Sequence, residues 1–187
     1  TGLPAGQPSV VAFDALSGQP STWAPPTTAS WDPWYLVGLV DGYVYLSSGF
    51  GSRFLRVDAQ TGVVDPVWRV VACCNTPRMF PAGDIVYLTG HFFTVGDTTR
   101  NYVAAVNRHT GAFTAWIERA LVPPPEGTLS VDGLGIVGQS MYLNPSTPGR
   151  SVLGLDLDTG RSITPYSLFA THDAGILGVA DGWLLVT

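Results

Sequence analysis

Four copies of one pattern run along this chain, and a repeat of roughly 40 to 50 residues limits the possible folds more than any other sequence feature. Aligned on a Thr-Gly or Ser-Gly pair, the copies read VVAFDALSGQPSTW from Val10, FLRVDAQTGVVDPVW from Phe54, AAVNRHTGAFTAW from Ala104 and VLGLDLDTGRSITPY from Val152. Their glycines are Gly18, Gly62, Gly111 and Gly160, spaced 44, 49 and 49 residues apart, and each copy closes on an aromatic: Trp23, Trp68, Trp116 or Tyr166. Between them stands a second recurring segment: YLVGLVDGYVYLSS, MFPAGDIVYLTG, GLGIVGQSMYLN and ILGVADGWLLVT.

Each unit reads as four short strands. In the second segment an apolar run meets a tight turn such as Asp41-Gly42 or Asp181-Gly182 and another apolar run follows, the strongest short-range signal of a β-hairpin. In the first, Asp14, Asp58, Asn107 or Asp156 can bond the backbone two residues on, and glycine supplies the positive φ that other residues resist. Arg108 and His109 stand at turn positions where the other copies have Leu16, Gln60 and Asp158, which share no chemistry, so the pair reads as structural. The closing aromatics are expected to be mostly buried between neighbouring sheets, where such a ring covers about 150 to 250 Å².

Four-stranded sheets at this period, with no helical periodicity between them, describe a β-propeller. The segment YLTGHFFTVGDTTRNYVAAVNRHTGAFTAW, with its Gly-x-Phe, Val-Gly, Arg, Ala-Ala, Thr-Gly and Trp, resembles the repeat of bacterial extracellular propellers. More loosely, Asp-x-x-Thr-Gly and the Trp are similar to quinoprotein-type repeats. The resemblance implies an all-β fold and a secreted, cell-surface or periplasmic setting, and it implies little about function.

The expected architecture is a single domain over 1–187 with four four-stranded blades, at approximately 174–187 plus 1–24, 34–71, 78–119 and 131–169. Residues 9–14 are expected to pair antiparallel with 183–187, so that N-terminal and C-terminal half-blades close the ring and leave no free edge. The alternative is a fragment of a ring of about six to eight blades. The start on Thr1, with neither Met nor a signal segment, reads as a processed chain or a piece of a larger one.

Charge narrows the partners. The net charge is −5 and the nine cationic residues, all arginine, form no basic run, so nucleic acid is not an expected partner. Gly, Pro and Asp interrupt every apolar stretch before the roughly 18 to 20 residues that a membrane-crossing helix needs, and no membrane insertion is expected.

Turn lengths place the expected binding surface. Turns between first and second strands, and between third and fourth, are tight; the other connections are long and in a propeller emerge on one face, where binding residues concentrate. That face is expected to carry Trp31, Asp32 and Trp34, an aromatic pair around a carboxylate on which sugars and proteins stack. Arg78, His91, Asp97, Arg100, Arg150 and His172 are expected beside them. The competing reading of the two tryptophans is packing between blades or a loop plug. His91 and Asp97 lack the further ligands that zinc wants, so no metal is expected.

Cys73 and Cys74 are adjacent, and their Cα atoms stand about 3.8 Å apart, just below the ordinary disulfide range. In an oxidising compartment they can close a strained vicinal disulfide, a feature that quinoprotein propellers carry at their cofactor. Two small buried thiols at a strand end are the alternative.

No Gly-x-Ser-x-Gly elbow, Walker loop, dinucleotide fingerprint or His-Glu-x-x-His helix is present, and no cofactor is expected. The sequence points to a non-enzymatic binding or assembly module that takes a protein or glycan on its loop-rich face. The rival is a propeller enzyme, either a glycan hydrolase or lyase with paired acids drawn from Asp32, Asp97, Asp132 or Asp173, or a quinoprotein-like oxidoreductase.

Overall fold

The computed structural model describes residues 10–23, 25, 34–48, 53–71, 78–91, 94–95, 98–117, 131–145, 152–163 and 176–186, and no helix occurs among them. The fold is all-β and every sheet is antiparallel. Sheet I is formed by β1 (Trp34–Val40), β2 (Tyr43–Ser48), β3 (Arg53–Asp58) and β4 (Val64–Val71), paired in chain order. After β5 (Arg78–Ala82) and β6 (Ile85–Thr89), a small ladder pairs β7 (Thr94–Val95) with β8 (Thr98–Thr99) inside a connection expected to be a long loop. The chain then returns as β9 (Val103–Asn107) to complete sheet II in the order β5-β6-β9. Sheet III holds β10 (Val131–Val137), β11 (Ser140–Pro145) and β12 (Leu153–Asp156), and sheet IV holds β13 (Ile176–Ala180) and β14 (Trp183–Val186).

Turn chemistry sets these ladders. Asp41 and Gly42 (φ 48° and 76°) and Asp181 and Gly182 (φ 49° and 80°) take two successive positive φ values, the type I′ geometry that matches strand twist. Asp14, Asp58, Asn107 and Asp156 each accept, through Oδ1, the amide and hydroxyl of the Ser or Thr three residues on. Gly18, Gly62, Gly111 and Gly160 follow at φ 66° to 73°. The AAVNRHTGAFTAW turn is therefore built like the other three, with Arg108 and His109 as turn residues.

Strand alternation then stacks the sheets in chain order. Val86, Leu88, Ala104 and Val106 of sheet II pack with Tyr45, Phe54 and Trp68 of sheet I, while Tyr87, Val103 and Ala105 point the other way onto Met141, Leu143 and Leu155 of sheet III. Gly135 of sheet III faces Leu184 of sheet IV. The first strands lie side by side, β1 against β5, β5 against β10 and β10 against β13.

Two expectations are not met among the described residues. Four full strands occur in sheet I; among the described residues sheets II and III have three, and their fourth is reduced to single bridges, Val106 to Phe113 and Leu155 to Ser162. In sheet II the pairing beyond that bridge is a single knot: the Thr114 amide and hydroxyl both donate to the Ala105 carbonyl, and the hydroxyl accepts the Trp116 amide. The pairing of 9–14 with 183–187 is likewise not formed among the described residues. Phe13 instead bridges Pro20, the Trp23 indole donates to the Asp58 carbonyl at 3.1 Å and seats this hairpin on sheet I, and sheet IV has two strands.

Candidate functional site

The sheets have two unlike edges. At one, the two tight turns of sheets I, II and III are bonded side by side: Ala59 N–H to Gly42 O (2.8 Å), Arg108 N–H to Asp84 O (2.8 Å) and Leu157 N–H to Gln139 O (2.9 Å). Antiparallel pairing sends the long connections to the other edge. Trp34 at the start of β1, Arg78 at the start of β5, His91 after β6 and Arg100 before β9 all stand there. Arg78 is exposed and Trp34 half-buried. His91 stacks on Tyr102 with ring centroids 6.5 Å apart, and Arg100 donates to the carbonyls of Thr99 (3.0 Å) and Thr114 (3.5 Å), which ties the loop to its own sheet. Tyr102 is buried and held at φ 63°, a conformation that a tyrosine adopts only under constraint. Trp31, Asp32, Asp97, Arg150, His172, Cys73 and Cys74 lie outside the described residues, as does Tyr166.

The repeat aromatics differ in depth. Trp68 is fully buried and meets Tyr45 edge to face at 5.5 Å; Trp116 makes the same 5.5 Å contact with Tyr87 but is half-buried, as is Trp23. Between sheets II and III, on the tight-turn edge, the shallower Trp116 helps to line a cleft of about 570 Å³ with Ile85, Tyr87, Ala105, Thr114, Leu157 and Asp158. Burial first, and then the charge of Asp158, push the Tyr87 hydroxyl above its ordinary pKa. Trp116 Nε1 is buried without a partner among the described residues, but so is Trp68 Nε1 in the filled gap next door.

That filled gap holds Arg56, which the sequence did not mark. Its guanidinium, 4.4 Å from the Tyr43 ring centroid, bonds Asp65 and the carbonyls of Arg108 and His109 on the next sheet's turn. Burial raises the Asp65 carboxyl, yet the Arg56 bond and the amides of Val67 and Trp68 outweigh it and hold the carboxyl below its ordinary range. Burial likewise lowers Arg56, and its bonds to Asp65 and then Tyr45 more than restore it. The signal that could have found both sites is one column of the aligned strands, FLRVD, VAAVN and LGLD, where Arg56, Ala105 and Gly154 share a position.

Among the described residues no three His, Cys, Asp or Glu converge as a metal site. Comparison with family models, curated proteins and solved structures returns no match.

Proposed function

We propose that the stacked sheets are blades of a β-propeller and that the chain is a binding and assembly module of a secreted or cell-surface protein. The observation that carries this reading is the apolar surface left exposed at the two ends of the stack. Inside the stack, the face bearing Tyr45 is covered by Met79, Val86 and Leu88 of the next sheet, and the face bearing Tyr87 by Met141 and Leu143. On sheet IV the register-equivalent face bears Trp183, 74% exposed, and Leu185. On sheet I the opposite face buries Leu46 and Val57 but leaves Leu36 and Leu39, along its β1 edge, at 69% and 65% exposure.

Apolar faces of this kind mark contact surfaces. Their occupant is a further sheet of the same pattern, and for this chain alone in solution a second copy supplies it, its sheet I seated on sheet IV. The extended stack lines up its loop-bearing edges, and a protein or glycan partner engages them beside Arg78 and His91.

Light scattering on the chain tests the assembly. Association should rise with concentration and disappear in Trp183→Asp and Leu36→Asp while the near-ultraviolet circular dichroism is kept. A monomer at every concentration, or association that both variants retain, overturns the reading.

A further inference from the structure

Register makes the gap between sheets II and III the counterpart of the gap that Arg56 fills between sheets I and II. Arg56 stands opposite Tyr45 on β2, and Ala105 stands opposite Tyr87 on β6. Around the Arg56 guanidinium are the ring of Tyr43, the Asp65 carboxylate and two carbonyls of the following sheet's turn. Around Ala105 the same positions are Ile85, Thr114 and the turn residues Leu157 and Asp158, and all of them line the cleft. The turn backbone and the tyrosine are kept, Ile85 and Thr114 stand where Tyr43 and Asp65 stand, and the filling side chain is replaced by a methyl group. Between sheets III and IV the counterpart is Gly154 opposite Tyr142, and there Ile163 closes over the glycine, its Cγ1 standing 3.1 Å from where a Cβ would be.

We propose that this cleft binds a guanidinium group from outside the chain, in the place that Arg56 occupies one sheet earlier. The turn carbonyls of Leu157 and Asp158 take its N–H donors as those of Arg108 and His109 take the donors of Arg56, the Tyr87 ring offers a face, and the Asp158 carboxylate supplies the charge. A guanidinium suits such walls because it is planar, weakly hydrated, stacks on rings and carries five donors. An ammonium is strongly hydrated and has no plane to stack. An anion would meet Asp158.

The probe is methylguanidinium at millimolar concentration, titrated into the full chain and read by amide chemical shifts. Saturable shifts should appear at Ala105, Thr114 and the 157–158 turn, with n-butylammonium weaker by about tenfold, the scale of one charge-assisted bond. Ala105→Arg should fill the cleft from within and abolish the shifts. Ala105→Leu, which fills it without charge, should abolish them too, and keeps the test open if the arginine variant misfolds. Arg56→Ala should open a second cleft whose shifts fall at the 108–109 turn. Agmatine binding more tightly than methylguanidinium identifies a free small molecule as the source, and a blocked arginine peptide doing so identifies a partner's side chain. Absence of saturation, equal binding of butylammonium, or binding that survives both Ala105 variants overturns the proposal.

Discussion

Arg108 Nη1 lies 2.6 Å from Asp41 Oδ2, so the last tight turn of sheet II is tied to the first tight turn of sheet I. The same guanidinium stands 3.6 Å from Asp84 in its own sheet, and its side chain is largely buried while both carboxylates are exposed. A residue that reads in the sequence as turn filler is thus a clasp between neighbouring sheets. Arg108→Met keeps the aliphatic stem and removes the charge, and should cost about 1 kcal/mol, the upper range for pairs with an exposed partner. Urea denaturation at low and at high salt checks this, because the difference from the parent should shrink as salt screens the pair.

Buried Arg56 should behave differently. Arg56→Ala leaves the Asp65 carboxylate and two turn carbonyls without their donor in a closed gap, a loss of about 3 to 5 kcal/mol for a broken buried pair. Replacing both partners, Arg56→Met with Asp65→Leu, should recover most of it. A double-mutant cycle by chemical denaturation reads the coupling directly.

Trp68 and Trp116 occupy one motif position at unequal depth, and their truncation should separate them. Trp68→Ala should cost about 3 to 5 kcal/mol as a large-to-small core change. Trp116→Ala should cost clearly less, because its ring already borders an open cleft. Equal losses in equilibrium unfolding would contradict this difference in packing.

Acid sensitivity follows from the turns. The Ser17 amide and then its hydroxyl hold the Asp14 carboxyl below its ordinary pKa, the Thr61 amide and hydroxyl do so for Asp58, and at Asp156 the Thr159 hydroxyl leads. Each folded-state pKa is therefore lower than the unfolded one. The stability they contribute is complete above the unfolded value, about 3.9, and is lost as pH falls through the depressed folded values. Asn107 makes the same bonds without a titrating group, accepting the amides of His109 and Thr110 at 2.9 Å. Asp58→Asn should accordingly keep the turn at neutral pH and flatten the fall of unfolding free energy below pH 4. An unchanged acid limb in that variant would count against the assignment.

What could be read from the sequence divides along the same lines. The turns were legible at Asp41-Gly42 and at Asp58 because their chemistry is local, and the order of the sheets followed from the period. The two-sided role of β6, with Val86 facing one neighbour and Tyr87 the other, was legible as alternation. Arg56 was not, because one arginine within FLRVD reads as an outward-facing residue, and its acceptors lie 52 and 53 positions away on another sheet. The cleft at Ala105 escaped for the same reason: it is defined by what a neighbouring gap contains. Ring closure was expected from repeat phase alone, which says which strands would be consecutive but not whether Trp183 and Phe13 find each other.

The packing of sheet IV on sheet III turns on one glycine. A Cβ on Gly135 would stand 2.5 Å from Leu184 Cδ1 and 3.0 Å from Val179 Cγ2, closer than carbon atoms pack, whereas a Cβ on Gly38 in β1 would meet nothing within 4 Å. Neither glycine has a positive φ, so alanine is compatible with the backbone at both. Gly38→Ala should then be neutral or stabilising by about 0.4 to 1 kcal/mol through the unfolded chain's lost freedom. Gly135→Ala gains the same term and must push β14 outward, for a net loss of about 1 kcal/mol or more. Leu184→Ala removes the atom in the way, so the pair Gly135→Ala with Leu184→Ala should be more stable than the sum of the single losses predicts. Thermal unfolding of the four chains decides it: additive effects would mean that the two sheets do not bear on each other at Gly135.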